Sequence, residues 1–346
     1  MSEAREPTIS TSATGIATAV AGWGIYAPEH RRTNAELEQT LDTNDAWITE
    51  RTGIKERRIA APEETTASLA TAAGAAAIKD AGLVPSDIDL IIVATATPDQ
   101  IVPSTASFVA DSLGLTCGAF DLGAACAGFA YSVVVGSSMI ATGGVKNVLV
   151  IGAETISRFL NPEDRSTSVI FGDGAGAAVL RACETTNDGP GLLAWDLGVD
   201  GSAAHLIEVR AGGSRLPTTA ETLANGDNFL SMQGNEVFKK AVRAVVESAN
   251  ITLTKAGKTM ADVDLFVPHQ ANVRIIEAVN QRLGYPMEKT VVNIDRYGNT
   301  SAASIPLALV EAAQEGRLND GDLVLLSGFG AGMTWASVLL RWGRAA

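Results

Sequence analysis

Two stretches of the sequence, Asp87-Ile88-Asp89-Leu90-Ile91-Ile92-Val93 and Asp262-Val263-Asp264-Leu265-Phe266-Val267, share one form: an acidic turn that leads into a short apolar run. They lie 262 − 87 = 175 residues apart. A second pair, residues 146–152 (KNVLVIG) and 321–327 (GDLVLLS), has the same spacing, 321 − 146 = 175. Short apolar runs bounded by turns are typical of buried strands. Two pairs at one offset indicate a chain made of two similar halves.

Helical patterns lie between these predicted strands. Residues 68–81 are Ala-rich and amphipathic, residues 235–249 carry a largely apolar face, and residues 271–283 end before Gly284. Strands that alternate with helices favour an α/β fold whose sheets are covered by helices. We therefore expect four segments along the chain: a flexible tail at 1–13, an N-terminal half at 14–184, a connector with loops at 185–228, and a C-terminal half at 229–346.

The composition excludes several classes of function. The chain has 346 residues, 46% of them apolar, and 26 basic against 39 acidic residues give a net charge of −13. A nucleic acid or an anionic membrane is therefore not expected as a partner. No signal-peptide pattern opens the chain. The charge-free stretch between Asp121 and Lys146 is rich in glycine, which predicts a buried helix and not a membrane span.

The counts of cysteine and histidine are low. Three Cys and three His occur, without CxxC or HxxxH spacing, so neither a metal site nor a disulfide framework is expected. This usage fits a reducing cytoplasm.

Three residues are candidates for chemistry. Cys126 follows a predicted strand at 118–122 and precedes the charge-free helix, where the positive end of the helix dipole would favour a thiolate. His269 follows the apolar run at 265–267, and α/β folds place ligands at such strand ends. Asn299 lies 299 − 126 = 173 residues after Cys126. We expect it in the second half's copy of the turn that presents Cys126. Each residue could equally be an ordinary buried Cys, a buried His or a helix-capping Asn.

Two glycine-rich segments need separate interpretations. Residues 171–177 (FGDGAGA) lie between apolar runs at 168–171 and 177–180, which predicts a strand, a turn and a strand. A dinucleotide site is disfavoured, because the glycines of a dinucleotide-binding motif lie where a strand leads into a helix. Residues 328–332 (GFGAG) follow a predicted strand, and their N–H groups could hold an oxyanion.

Three motifs carry a resemblance to a known family. They are residues 124–129 (AACAGF), 267–272 (VPHQAN) and 298–304 (GNTSAAS), and together they resemble the motifs of β-ketoacyl-acyl carrier protein synthase III. Supporting matches lie at 45–48, 51–54, 171–176 and 234–239. The resemblance covers residues 15–344. It implies an α/β thiolase fold, with duplicated halves in a five-layer α-β-α-β-α sandwich, and a homodimer.

The resemblance also implies a reaction. An acyl-CoA would acylate Cys126, and malonyl-acyl carrier protein would then lose CO₂ and attack the acyl group, which starts type II fatty-acid synthesis. His269 and Asn299 would donate hydrogen bonds to the developing negative charge, and the N–H groups of Cys126 and Ala331 would hold an oxyanion. Acyl-CoA is a substrate, and no cofactor is implied.

Further roles come from matching positions. The residues implied to bind CoA are Trp47, Arg51, Arg165 and Asn272. Those implied to dock the carrier protein are Lys239, Arg274 and Arg282. This family often has two adjacent cations near Arg282, whereas here Gln281 precedes it, which weakens the expected docking site. Val102 matches a position in the wall of the acyl pocket across the dimer, where acetyl-selective members can carry Phe. A smaller residue there suggests longer or branched starters.

Other readings stay open. The chain could serve natural-product biosynthesis with an unusual starter, or act as a simple acyltransferase, although such members tend to alter the His or the Asn. A 3-hydroxy-3-methylglutaryl-CoA synthase needs a catalytic Glu, and none occurs in the matched motifs. A non-catalytic subunit would lack the nucleophile, but Cys126 is present.

Overall fold

The computed structural model describes residues 15–186 and 189–344, so the tail expected at 1–13 lies outside the described residues. The strands are β1 (Ile16–Tyr26), β2 (Arg31–Thr33), β3 (Glu56–Arg58), β4 (Leu90–Ala94), β5 (Gly118–Leu122), β6 (Asn147–Glu154), β7 (Gly174–Glu184), β8 (Gly191–Val199), β9 (Ile207–Val209), β10 (Leu230–Met232), β11 (Leu265–Pro268), β12 (Leu323–Gly330) and β13 (Thr334–Arg341). The α-helices are α1 (Asn34–Leu37), α2 (Asp45–Thr52), α3 (Thr66–Asp80), α4 (Thr105–Ser112), α5 (Gly128–Ala141), α6 (Arg165–Ser168), α7 (Ala220–Ala224), α8 (Gly234–Lys255), α9 (Val273–Leu283), α10 (Ile294–Tyr297) and α11 (Ser304–Gln314).

The two large sheets repeat one arrangement. The first has the strand order β1-β7-β6-β4-β5, and the second has β11-β12-β13-β8. In each sheet a parallel pair (β4 with β6, β11 with β12) is followed by two antiparallel pairings. Four strands therefore correspond one to one between the halves. This topology agrees with the duplication expected from the 175-residue offset.

The acidic turns quoted above have the same structural task in both halves. The Asp89 carboxylate accepts hydrogen bonds from the N–H groups of Lys146 and Asn147, at 2.8 and 2.9 Å. Asp264 accepts from the N–H of Leu323 at 2.9 Å. Each carboxylate thus joins the start of one strand to the start of its parallel neighbour. The acidic turn and the apolar run after it therefore form one recurring unit of each sheet.

Three apolar clusters fill the spaces between five layers, and the middle cluster fills two of these spaces. One lies between α3 and the first sheet, one between the two sheets around α5 and α11, and one between the second sheet, α8 and α9. The charge-free helix α5 is buried because it lies in the central layer. Within the described ranges, no helix is long and apolar enough to cross a membrane. The fold is the expected α/β thiolase fold.

Two local predictions differ from the structure. Residues 185–228 were expected to form a connector, but they contain β8, which pairs with β13 at the edge of the second sheet. The glycines and prolines around β8 hide its apolar pattern. Residues 168–171 were expected to form a strand before the glycine-rich turn. Instead, Ser168 ends the short helix α6, and Phe171 forms one isolated bridge with Asn299. The turn is followed by strand β7, which pairs antiparallel with β6. The glycine-rich segment therefore does not lead from a strand into a helix.

Gly152 on β6 is a point of backbone contact between the two halves. A Cβ built there would lie 2.2 Å from the carbonyl oxygen of Ala302. We predict that Gly152→Ala lowers the free energy of unfolding by about 2 to 3 kcal/mol, because the main chain must move to make room. Urea denaturation measures the change.

Gly201→Ala is the matched control, because nothing lies within 4 Å of a Cβ at Gly201. Its free energy of unfolding should stay within about 0.5 kcal/mol of the unsubstituted protein. Equal losses in the two variants would contradict the interpretation.

Candidate active site

A cavity of about 690 Å³ collects the candidate residues from both halves. Cys126, His269 and Asn299 all line it. Cys126 follows β5 and His269 follows β11, so both lie beyond the carboxyl ends of strands. The duplicated topology therefore brings together residues that are far apart in sequence, as the sequence analysis expected.

Cys126 lies in a tight turn that requires small neighbours. Residues 125–127 form one 3₁₀ turn before α5, and Ala125 has a φ of 45°. Gly330 packs against this turn so closely that a Cβ there would lie 2.5 Å from the backbone N of Cys126. The Cys126 thiol donates a hydrogen bond to Ser301 Oγ at 3.4 Å. The turn thus holds the sulfur between the cavity and the other half of the chain.

Burial of the Cys126 side chain opposes the thiolate expected there. The side chain is partly open to the cavity, but the surrounding protein excludes bulk water from it. This desolvation, together with the nearby charge of Glu154, raises the pKa of Cys126 to about 12, although the Ser301 hydrogen bond opposes the change. Cys126 also precedes α5 by two residues. Burial therefore opposes the thiolate that the position before α5 predicts.

His269 is buried, and its ring orientation is fixed. Its Nδ1 lies 2.5 Å from Ser304 Oγ, which also accepts the N–H of Gln270 at 3.3 Å. Since that hydroxyl already accepts from Gln270, we infer that it donates its own proton to Nδ1. The proton of the ring is then on Nε2, which is buried and has no hydrogen-bond partner among the described residues. Desolvation lowers the pKa of His269 to about 3, so the ring is a neutral donor facing the cavity.

Asn299 supplies a second neutral hydrogen-bond donor, the NH₂ of its amide group. Its Oδ1 accepts the N–H of Ser301 at 2.9 Å, and its main chain pairs with Ile170 and Gly172. The Oδ1 contact directs the NH₂ group toward the cavity. The turn at 301–303 before α11, not Asn299 itself, is the second half's copy of the Cys126 turn, since Ser301 has a φ of 48° like Ala125. Asn299 lies two residues before that copy.

Backbone N–H groups also face this region. Ala331 lines the cavity beside Cys126, and within the described chain neither residue's N–H donates to a carbonyl group. Ala331 is held in place through Thr334, whose hydroxyl contacts the carbonyl oxygens of Ala331 and Ala124, at 3.0 and 2.9 Å. This contact joins the glycine-rich segment 328–332 to the Cys126 turn. Two N–H groups without a carbonyl partner, on residues that line one cavity, can bind an oxyanion.

One aromatic and two cationic side chains form a group on two short helices: Trp47 and Arg51 lie on α2, and Arg165 lies on α6. The guanidinium carbons of Arg51 and Arg165 lie 4.8 and 4.6 Å from the ring centre of Trp47. Asn272 caps α9 and donates from Nδ2 to the carbonyl oxygen of Arg51 at 3.0 Å. Asn272 also lines the cavity. The four residues matched to CoA binding are thus connected in the structure.

The remaining predicted residues are more scattered. Lys239 and Arg274 line the cavity, and Lys239 forms an ion pair with Glu236 at 2.8 Å. Arg282 lies in the last turn of α9 and is not among the lining residues. Val102 does not line the cavity of its own chain, and its side chain is 79% exposed. An acyl-pocket role for Val102 therefore depends on a second subunit.

Sequence reasoning missed three polar residues around Cys126 and His269: Glu154, Ser301 and Ser304. It also missed apolar side chains that line the cavity, such as Met232 and Phe329. Ser301 could have been found, since 301 − 126 = 175 is the offset of the duplicated strands. In the part of the chain that the structure describes, no cluster of His, Cys, Asp and Glu could hold a metal ion.

The ionisation of His269 gives a testable prediction. Burial holds its pKa near 3, whereas an unfolded His titrates near 6.5. The folded protein therefore binds fewer protons than the unfolded chain as pH falls from about 6.5 toward 3, and this residue lowers stability in that range. Nitrogen NMR of the ring should show one neutral species, protonated on Nε2, between about pH 5 and 8.

Ser304→Ala is the comparison for that measurement. Without the hydroxyl, Nδ1 loses its donor, and the ring should become a mixture of both neutral tautomers. An Nδ1-protonated ring in the unsubstituted protein would contradict the assignment.

Comparisons with known proteins give one consistent result. The family described as 3-Oxoacyl-[acyl-carrier-protein (ACP)] synthase III matches residues 120–201, and its C-terminal domain matches residues 253–342. The chain is 52% identical over 330 residues to the Beta-ketoacyl-[acyl-carrier-protein] synthase III of Desulfitobacterium hafniense (strain DSM 10664 / DCB-2), covering 95% of this chain and 99% of that protein.

Solved structures agree. The 3-oxoacyl-[acyl-carrier-protein] synthase III from Aquifex aeolicus VF5 superposes with a TM-score of 0.86 at 46% identity, covering 94% of this chain and 100% of that one. The priming beta-ketosynthase from the R1128 polyketide biosynthetic pathway has a TM-score of 0.88 at 35% identity, covering 98% and 100%. The chain therefore belongs to the β-ketoacyl-[acyl-carrier-protein] synthase III family of condensing acyltransferases.

Proposed function

We propose that Cys126, His269 and Asn299 catalyse the condensation of an acyl-CoA starter with malonyl-acyl carrier protein. The observation that carries this proposal is one cavity with a thiol and two neutral hydrogen-bond donors. Cys126 attacks the acyl-CoA thioester and becomes acylated while CoA leaves. A thioester is suited to this role because a second nucleophile can attack it. The N–H groups of Cys126 and Ala331 hold the oxyanion of that step.

The second half-reaction needs donors that carry no charge of their own. Loss of CO₂ from the malonyl thioester places negative charge on its carbonyl oxygen. The Nε2–H of His269 and the NH₂ of Asn299 donate to that oxygen, and both are oriented before substrate arrives by Ser304 and by the N–H of Ser301. Donors held in place in a water-poor site stabilise developing charge more than water does. The carbanion then forms a bond to the acyl carbon on Cys126, the bond from that carbon to the Cys126 sulfur breaks, and the released thiolate takes up a proton from solvent.

CoA would be held at the mouth of the cavity. Trp47 offers an indole face to the adenine, and Arg51 and Arg165 offer charge to the phosphates. In the structure both guanidinium groups stack on Trp47, so an adenine must displace one of them. Asn272 contacts the main chain of Arg51 and also lines the cavity that holds Cys126. The pantetheine arm would pass it on the way to the thiol.

A homodimer is part of the proposal. Strand β5 lies at the edge of the first sheet, and its outer side has no strand partner within the described chain. Ile101 and Val102 are 80% and 79% exposed in a nearby loop. An open strand edge beside exposed apolar side chains is typical of a protein interface. A partner bound there would cover this loop, and Val102 would then reach the partner's acyl pocket.

The acyl carrier protein would dock where cations surround the cavity. It is acidic in this family, and this chain carries a net charge of −13, so local cations must overcome a general repulsion. Arg274 and Arg282 lie eight residues apart on α9, about 12 Å along the helix, and no ion pair joins either to the described residues. Lys239 contributes less, because Glu236 neutralises it.

A cytoplasmic location completes the proposal. The three cysteines are free thiols, Cys117, Cys126 and Cys183. Free thiols are typical of the reducing cytoplasm.

One alternative has specific support. The similarity to a priming ketosynthase of a polyketide pathway favours natural-product synthesis with an unusual starter. Simple acyl transfer without condensation is the second form of that alternative. A measurement that separates acylation from condensation distinguishes transfer from synthase activity.

The decisive experiment follows the acyl group by intact mass spectrometry. Incubation with acyl-CoA should add one acyl group to the protein, and Cys126→Ala should abolish it. His269→Ala and Asn299→Ala should keep the adduct but lower ketoacyl formation from malonyl-acyl carrier protein at least about 100-fold. Cys117→Ala is the matched control and should keep both activities, since Cys117 does not line the cavity.

Three outcomes would overturn these assignments. An adduct on Cys126→Ala would exclude Cys126 as the nucleophile. Normal condensation by His269→Ala or Asn299→Ala would remove that residue from the mechanism. An adduct on the unsubstituted protein without any ketoacyl product would leave simple acyl transfer.

Val102 gives a test of starter size. We predict that the unsubstituted protein accepts isobutyryl-CoA and longer starters, and that Val102→Phe raises the ratio of kcat/KM for acetyl-CoA over isobutyryl-CoA about tenfold. Val84→Phe is the control, because Val84 is an exposed side chain away from the cavity. A clear acetyl preference in the unsubstituted protein, or an unchanged ratio in Val102→Phe, would contradict the role.

A further inference from the structure

Arg57 on β3 is a buried cation that forms no ion pair with the described residues. Its side chain is 0% exposed. The guanidinium donates to neutral oxygens instead: Nη1 to the carbonyl of Arg32 at 3.0 Å and to Asn34 Oδ1 at 2.9 Å, and Nη2 to the carbonyl of Val169 at 2.7 Å. Arginine is almost never fully buried unless it is paired. Its place here therefore indicates a task that a neutral side chain could not perform.

Asn34 connects Arg57 to α2. Its Nδ2 donates to Asp45 Oδ1 and to the carbonyl oxygen of Ile54, both at 2.8 Å. Asp45 is the first residue of α2, and Ile54 follows the C-cap of this helix, Gly53. One buried side chain therefore holds both ends of α2. Arg57 in turn fixes the orientation of that side chain, because its guanidinium donates to Asn34 Oδ1.

The other branch of the guanidinium reaches α6. Val169 is the C-cap of this helix, and its carbonyl oxygen accepts from Nη2 of Arg57. Helix α2 has eight residues and α6 has four, so both depend on tertiary contacts to keep their places. A small apolar cluster that includes Ile48 and Val169 also joins them. The planar guanidinium suits this position, because it donates in several fixed directions at once.

The two helices that Arg57 joins carry the group proposed to bind CoA. Trp47 and Arg51 lie on α2, and Arg165 lies on α6. The guanidinium carbon of Arg165 lies 4.6 Å from the ring centre of Trp47, so this contact crosses from one helix to the other. A shift of α2 relative to α6 would therefore separate Arg165 from Trp47. The turn that holds Cys126 lies on neither helix.

We propose that Arg57 is a positioning residue for the nucleotide end of acyl-CoA. Through Asn34 and the carbonyl of Val169 it fixes α2 against α6, and it thereby keeps Trp47 and Arg165 together before substrate arrives. Binding groups that are held in place need less ordering when the ligand binds, which raises affinity. Neither Arg57 nor Asn34 lines the cavity, so neither touches the reacting atoms. This inference rests on the proposed CoA site.

The test compares two substrates that differ only at the nucleotide end. Acyl-CoA carries the adenosine and its phosphates, whereas the matching acyl-pantetheine lacks them, and both present the same thioester to Cys126. The acyl group is acetyl or isobutyryl, whichever acylates the unsubstituted protein faster. Intact mass against time gives the second-order rate constant of acylation for each substrate. The unsubstituted protein should prefer acyl-CoA at least about tenfold, because remote contacts contribute to the rate constant.

Arg57→Met keeps a long side chain in this place but removes its donors. It should lower the rate constant with acyl-CoA about tenfold and leave that with acyl-pantetheine within about threefold. Arg317→Met is the matched control. Arg317 also donates to two carbonyl oxygens, those of Glu288 and Thr290, but its hydrogen bonds reach neither α2 nor α6. This control should keep both rate constants within about threefold.

Two variants of the exposed Asp45 act on the same connection with little risk to folding. Asp45→Ala removes the acceptor of Asn34, whereas Asp45→Asn keeps an acceptor oxygen there. Both lack the negative charge, so the difference between them reports the acceptor alone. With acyl-CoA, Asp45→Ala should be about fivefold slower than Asp45→Asn, and with acyl-pantetheine the two should agree within about twofold.

The outcomes separate the inference from the function on which it rests. If neither thioester acylates the unsubstituted protein, the proposed function fails, and the inference fails with it. If both do so at equal rates, the nucleotide end is not held and the inference alone fails. Parallel losses with both thioesters in Arg57→Met would indicate a structural role, and unchanged rate constants would exclude Arg57. If Arg57→Met does not fold, the Asp45 variants decide.

Discussion

The site depends on one constraint: each half of the chain contributes a tight turn, and each turn packs against a strand of the other half so closely that a side chain on that strand is excluded. A Cβ on Gly330 would lie 2.5 Å from the Cys126 backbone, and one on Gly152 would lie 2.2 Å from the carbonyl oxygen of Ala302. Interiors are packed too densely to absorb such overlaps without moving the main chain. The glycines therefore set the distance between the halves, and that distance sets the contact between Cys126 and Ser301.

This packing also determines the electrostatics of the cavity. Enclosure by protein raises the pKa of Cys126 and lowers that of His269, so burial favours the uncharged form of both side chains. Neutral donors suit a reaction whose intermediates carry negative charge, because the charge then develops against fixed dipoles in a water-poor site. The same enclosure opposes the formation of a thiolate at Cys126.

Much of this could be predicted from the sequence, because duplication leaves a regular trace. The repeated acidic turns and apolar runs predicted two similar α/β halves, and Asp89 and Asp264 join neighbouring strands in the same manner. The strand β8 could not be found in this way, since glycine and proline interrupt its surroundings. The pKa of Cys126 was out of reach for another reason. Position before a helix suggests a lowered value, but desolvation depends on all the surrounding atoms and dominates here.

Ser301, and not Asn299, lies at the repeat offset from Cys126. Asn299 follows Cys126 by 173 residues, whereas the strands repeat at 175, and that offset leads from Cys126 to Ser301. By turn geometry Ser301 corresponds to Ala125, since both have a positive φ at the start of a 3₁₀ turn. A turn that holds a nucleophile in one half therefore holds a hydroxyl in the other, and the approach of the two turns places them in contact. The Ser301 hydroxyl accepts the hydrogen bond of the Cys126 thiol at 3.4 Å, so a residue of the second half contacts the candidate nucleophile of the first.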